Sequence, residues 1–273
     1  MTRLAAQIIV IAKAPVPGQV KTRLTPPFTP QEAARLAEAA LADTLDAAAR
    51  TPFARRVLAL AGASAALRGA SAAQRGRRVA AAPRTSALPG AGWLPPGFEV
   101  TGQRGDGLDE RIAAALDDAY ARLPVPVVLV GMDTPQVTPA LLESVTRPLA
   151  RGESDAVFGP ARDGGFWLLG LRRPDPSLIL GVPMSQTHTG RGQLARLLRA
   201  GLSVRLAPEL IDVDTAADAD EVAGKAPDSR FAATLRSMGS RRNLVRLDTP
   251  GEPADRAARQ ATATPMAGAG SPR

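Results

Sequence analysis

The chain has no cysteine. Disulfides, zinc–thiolate centres and thiol nucleophiles are excluded at the outset. Histidine occurs once, as His188 between two threonines, and no Ser-His-Asp arrangement can be built around it. There are nine aromatics, six Phe, two Trp and one Tyr, too few for a base-stacking platform. No apolar run approaches the roughly 20 residues of a membrane span. The short run behind Arg3 is interrupted by Gln7 and ended by Lys13. It reads as a buried strand and not as a leader, so a cytoplasmic location is expected.

Lysine is also scarce. Of 34 basic residues only Lys13, Lys21 and Lys225 are lysine, against 31 arginines. Two of the three fall in one loop after an apolar run, Gln7 to Ala12, in Lys13-Ala14-Pro15-Val16-Pro17-Gly18-Gln19-Val20-Lys21-Thr22-Arg23-Leu24. An ammonium is a compact, strongly hydrated point charge, whereas a guanidinium is a planar fork. A cationic loop after the first strand of an α/β protein is a common phosphate site. The loop matches neither G-x-x-x-x-G-K-[ST] nor G-x-G-x-x-G. Phosphate held here would depend on Lys13, Lys21 and Arg23 more than on a backbone nest. Lys21 is read as an exposed loop side chain.

The net charge of +8 is uneven. Residues 50–85 carry eight arginines and no acid, so the rest of the chain sums to zero. These arginines come with alanine and glycine, without aromatics and outside any reading helix. Specific nucleic-acid binding is not expected.

Strand and helix patterns alternate, which gives an α/β fold with a mostly parallel sheet between helices. Strands are expected at 7–12, 56–61, 126–131, 155–159, 166–171 and 203–206. Thr29-Pro30-Gln31-Glu32 is a capping box with proline at the first helical position; Thr138-Pro139 and Thr215 open further helices. Helical spacing covers 107–123 and 190–200. One domain over 1–228 is expected, with an irregular Arg-rich insertion at 62–95 and a disordered tail at 240–273.

Asp133 follows the strand at 126–131, at the carboxyl edge of the sheet where open α/β sheets bind ligands. In Ile211-Asp212-Val213-Asp214 the two carboxylates share one face of an extended segment. They repel unless a cation lies between them, or Asp214 merely caps the next helix. Asp163-Gly164-Gly165 enters a strand as a hairpin turn or as a close approach to a ligand. Gln103-Arg104-Gly105-Asp106-Gly107 reads as a turn and helix start, or a contact loop.

Four stretches in order, the cationic loop at 11–24, Gly131-Met132-Asp133-Thr134-Pro135, the segment 159–171 and Asp212-Val213-Asp214-Thr215, closely resemble a bacterial family described as glycosyltransferases of the nucleotide-diphospho-sugar transferase (glycosyltransferase-A, Rossmann-like) fold. The resemblance spans roughly residues 5–225. More distantly it is similar to phospholactate and molybdenum-cofactor guanylyltransferases. It implies that Lys13, Gly18, Lys21, Arg23 and Gln103 bind nucleotide. It implies that Asp133, Asp212 and Asp214 ligate Mg²⁺ or Mn²⁺, that Asp133 and Lys21 are catalytic, and that Asp163, Gly164 and Gly165 line the acceptor side. Three departures stand out: Asp109 occupies a glycine position, the Arg-rich stretch near 75 is atypical, and Asp-Gly-Gly replaces Gly-Thr-Asn of the phospholactate enzymes. The expected function is a metal-dependent glycosyltransferase using a nucleotide-sugar and a small-molecule acceptor. Nucleotidyl transfer with release of pyrophosphate uses the same parts, and a non-catalytic binder is the third reading. Oligomeric state does not follow from these features.

Overall fold

The computed structural model describes residues 3–61 and 94–247, the last eight as backbone alone. The expected insertion at 62–95 lies outside the described residues except for its last two positions, as does everything after Leu247. The described part of the first compact unit, which ends at Arg236, carries the sheet and its helices.

Seven strands form one sheet: β1 (Leu4–Lys13), β2 (Phe53–Ala61), β3 (Phe98–Gly102), β4 (Val127–Val130), β5 (Ala156–Pro160), β6 (Phe166–Leu171) and β7 (Val204–Leu206), in the order β3-β2-β1-β4-β6-β5-β7. Six match the strands read from the sequence. The missed one, β3, is Phe-Glu-Val-Thr-Gly, short and with a single buried residue, Phe98. Four of the pairings are parallel, and the two made by β6, with β4 and with β5, are antiparallel. Strand β1 is apolar from Ile8 to Ala12 because both faces are covered: Ile8 and Val10 pack on one side of the sheet, Ile9 on the other. Gln7 is fully buried just before that run. It tolerates burial because its amide donates to the Ala119 and Leu123 carbonyls and its oxygen accepts from Arg55.

The helices are α1 (Pro30–Arg50), α2 (Leu108–Arg122), α3 (Pro139–Ala150), α4 (Thr189–Arg199), α5 (Ala216–Lys225) and α6 (Arg230–Leu247). The capping box at Thr29 forms as expected, with Thr29 Oγ1 accepting from the Glu32 amide and the Glu32 carboxylate accepting from the Thr29 amide. Thr215 and Asp218 repeat it at α5. The helix α6 runs eight residues into the stretch expected as a disordered tail from 240, through Arg, Asn, Leu and Val. Those residues, Arg and Leu above all, propagate a helix already nucleated at Arg230. That nucleus is held by Asp43, whose carboxylate accepts from the Arg230 and Phe231 amides.

The basic stretch is less bare than its sequence. Arg50 pairs with Asp46, Arg55 forks onto Glu99, and Arg56 donates to the Ala48 and Thr51 carbonyls. The other five arginines lie outside the described residues. Among the described residues no helix is long and apolar enough to cross a membrane.

From β1 the chain builds outward to β2 and β3, then crosses to the other side of β1 to lay down β4. The order therefore reverses between β1 and β4. The loops leaving these two strands part at their carboxyl ends and leave a crevice there.

Candidate active site

Four segments meet at that crevice. The loop after β1 turns at Gly18, whose φ of +76° is open to glycine at no steric cost. It then places Lys21 before a single helical turn, Thr22–Leu24. Lys21 itself is left-handed, with φ 48° and ψ 41°. A non-glycine residue there costs about 1–3 kcal/mol and persists only where its surroundings demand it. The demand is visible. Lys21 Nζ lies 2.7 Å from Asp133 Oδ2 and 3.0 Å from Asp214 Oδ1. Its side chain is 9% exposed, which corrects the reading of an exposed loop lysine. Burial disfavours the ammonium, but the Asp133 and Asp214 carboxylates outweigh it and hold the pKa above the ordinary lysine value. Arg23 is exposed and reaches Asp214 Oδ2 at 3.2 Å. Lys13 is exposed, with no ion-pair partner among the described residues.

The second segment follows β4. Asp133 is pinned by its own carbonyl, which accepts from Val213 N at 3.1 Å. The third is the hairpin between β5 and β6, turning through Asp163-Gly164-Gly165. Asp163 Oδ1 accepts from the Gly165 amide at 2.7 Å, a local turn of the kind expected. The fourth is Ile211–Asp214, which runs beside the hairpin through a parallel bridge between Ala161 and Leu210. Ile211 and Val213 are buried, which turns Asp212 and Asp214 the other way.

Asp163, Asp212 and Asp214 offer carboxylate oxygens that all lie within 4.8 Å of one another. Partial burial, then the Asp163 and Asp214 charges, raise the Asp212 pKa to about 6. The resemblance implied Asp133 in this group and Asp163 on the acceptor side. In the structure Asp163 stands with the late pair, because the hairpin and the 210–214 segment are hydrogen-bonded neighbours. Asp133 is drawn to Lys21 instead. One of its oxygens, Oδ1, is buried without a hydrogen-bond partner.

Gly164 and Gly190 press against the protein's own backbone, while a Cβ on Gly165 would meet the Asp163 side chain. A Cβ on Gly164 would come 1.9 Å from the Thr187 carbonyl oxygen. Gly190, whose amide donates to Gly164 O, lies so close that its own Cβ would meet Gly165 O at 2.3 Å. The smallness of Gly164 and Gly190 thus serves the docking of α4. Gln103, expected at the nucleotide, spends its amide on the Ala12 and Ala59 carbonyls at 2.9 Å each, tying β1 to β2 beneath the first loop. Asp109, at the position where glycine was expected, accepts from Gly181 N at 2.9 Å and tethers the segment after β6 to the start of α2. Two further residues were given no role from sequence. Arg162 bonds Asp218 and Glu221 on α5, and Gln136 bonds the Ile211 carbonyl. Neither carries a local sequence signal; a polar residue in a loop looks the same whether or not its partner is 75 residues away.

A mostly parallel sheet flanked by helices, with a cationic first loop and carboxylates facing it across the switch point, defines the nucleotide-diphospho-sugar transferase class of fold. A nucleotide-diphospho-sugar transferase-like protein from Desulfovibrio desulfuricans G20 has this structure, with a TM-score of 0.72 at 27% identity over 89% of this chain and 97% of that one. Residues 44–186 match the family described as "Uncharacterized protein conserved in bacteria (DUF2064)", and the chain belongs to that family. It is also similar to the 2-phospho-L-lactate guanylyltransferase of Natrialba magadii, 30% identical over 229 residues, which are 80% of this chain and 88% of that protein. The protein is a transferase of this fold.

Proposed function

We propose that residues 1–228 form a metal-dependent glycosyltransferase that takes a nucleotide-sugar and a small hydroxyl-bearing acceptor. The observation that carries this reading is the buried ammonium of Lys21 set between Asp133 and Asp214, beside the Asp163–Asp212 carboxylates. An ammonium has three donors. Two are spent on carboxylates, leaving one for a phosphate oxygen. Lys13 and Arg23 add positive charge at the exposed rim, where a diphosphate would enter. Asp133 holds Lys21 in place, and the left-handed backbone at Lys21 fits a side chain fixed before substrate arrives.

The donor set fits Mg²⁺ or Mn²⁺. It is all oxygen, it carries mutually repelling carboxylates, and nearby Asp133 Oδ1 is buried without a partner. Asp163, Asp212 and Asp214 would hold the ion. Once bound it would neutralise charge developing on the departing diphosphate. The residues of the chain supply the rest: Lys21 and Arg23 grip the leaving group, and the hairpin at Asp163 faces the acceptor. An acceptor hydroxyl bonds to the anomeric carbon as the bond to the diphosphate breaks; its proton is lost to solvent and a nucleoside diphosphate is released.

Nucleotidyl transfer is the second reading, favoured by the guanylyltransferase named above. Its acceptor would be a phosphate, which the bound cation and the Lys13 and Arg23 charges could meet as well. Glycosyl transfer is put first on the likeness to the nucleotide-diphospho-sugar transferase-like protein above. The test is incubation with a panel of nucleotide-sugars and nucleoside triphosphates with Mg²⁺ or Mn²⁺, followed by phosphorus NMR. Nucleoside diphosphate released from one nucleotide-sugar is expected. Pyrophosphate released from a triphosphate would establish the second reading, and no binding or turnover of any nucleotide would overturn both.

A further inference from the structure

The acidic segment has no secondary structure of its own. Between Ala207 and Thr215 the backbone forms only the bridge at Leu210. Its position is set by a few hydrogen bonds to its two neighbours. On the hairpin side Leu210 N donates to Pro160 O at 3.2 Å and Arg162 N donates to Leu210 O at 3.0 Å. On the β4 side Val213 N donates to Asp133 O at 3.1 Å, and Gln136 Nε2 donates to Ile211 O at 2.6 Å. The three backbone-to-backbone bonds would survive substitution. Two bonds depend on side chains: Trp167 Nε1 donates to Pro208 O at 2.9 Å, near the start of the segment, and Gln136 grips the carbonyl that immediately precedes Asp212.

A second observation separates this glutamine from a merely structural one. Its other amide atom, Oε1, is buried without a hydrogen-bond partner. Leaving such an acceptor unsatisfied costs about 1–3 kcal/mol. If the loop after β4 needed only to pack, an apolar side chain of similar length would avoid that cost. Retaining the amide makes sense when its donor half has a task, and the task on view is the hold on Ile211.

We infer that Gln136 is a positioning residue that sets the Asp212 and Asp214 carboxylates against Asp163 and Lys21 for cation binding. The inference rests on the metal-dependent reading above. Hard divalent cations bind oxygen ligands within a narrow span of about 2.0–2.6 Å. A segment free to slide by a few tenths of an ångström loses ligand overlap without unfolding. Partners behind a ligand characteristically govern metal affinity by about 10–100-fold.

The experiment measures Mn²⁺ binding to the full chain by electron paramagnetic resonance, for the wild type, Gln136→Met and Gln136→Asn. Methionine keeps the length and removes both polar atoms. Asparagine keeps the amide but is one methylene short of Ile211. Both should raise the Mn²⁺ Kd by about tenfold or more. The metal-free melting temperature should change little for Gln136→Met, since the unsatisfied Oε1 is gone but the Ile211 carbonyl loses its donor. Saturating Mn²⁺ should restore most of kcat, which general damage to the fold would not permit. If Gln136→Met does not fold, Gln136→Asn carries the same readings. Variants that fold and bind Mn²⁺ within twofold of wild type overturn the inference while leaving the metal reading intact. A wild type that binds no Mn²⁺ overturns the metal reading, and the inference with it.

Discussion

Replacing Asp212 by asparagine should make the metal-free protein more stable, although it removes a ligand of the proposed site. Partial burial and the Asp163 and Asp214 charges lift the Asp212 pKa from 3.8 to about 6. A raised carboxylate pKa means that the folded state binds the proton more tightly than the unfolded chain. Stability from this group is therefore lost as pH rises from 3.8 to about 6, and the loss is complete above that. Two pKa units amount to about 3 kcal/mol. Asp212 is only partly buried, so solvent screening reduces the effect to about 1–2 kcal/mol. For a domain of this size that is a rise of roughly 3–6 °C in melting temperature. Thermal unfolding of wild type and Asp212→Asn at pH 8 in chelator should show this rise, and the gap should close as the pH is lowered toward 4. Added Mn²⁺ should reverse the order by stabilising the wild type alone. A variant equally or less stable at pH 8, or a gap that ignores pH, would refute the assignment of electrostatic strain to this cluster.

Three other outcomes follow from the same geometry. Lys21→Met leaves Asp133 without its counter-charge and Asp214 with only the exposed Arg23, so a loss of about 1–3 kcal/mol is expected without divalent cation, together with weaker nucleotide binding by calorimetry; unchanged nucleotide affinity would remove Lys21 from the phosphate site. Gly164→Ala meets the Thr187 carbonyl and a φ of +89°, so a loss on the order of 2–4 kcal/mol is expected in denaturant titration, and a neutral result would mean that α4 docks differently. The Asp155 carboxylate is held down to about 2 by the Ser203 hydroxyl and amide, then by Arg172; its stabilisation is present above pH 3.8 and lost as pH falls through about 2, so Asp155→Asn should be less stable than wild type at pH 7 and converge with it on acidification, as followed by circular dichroism.

Much of this protein is legible in its sequence. Continuous apolar runs mark β1 and β4, because a parallel strand covered on both faces has no polar side to show. Caps at Thr29, Thr138 and Thr215 mark three helix starts, because orphan amides need a nearby oxygen. The position of Asp133 at a strand's carboxyl end, and the shared face of Asp212 and Asp214, are local geometry as well. These are all consequences of residues close together in the chain. What the sequence could not decide is which charges meet. Asp163 joins Asp212 and Asp214 only because the hairpin and the 210–214 segment lie side by side. Lys21 takes Asp133 and Asp214 only because the strand order reverses between β1 and β4. Gln103 and Gln136 turned to carbonyls 44 and 75 residues away. Residue type and spacing specify what a side chain can do, while its partner depends on contacts that exist only after the sheet has assembled.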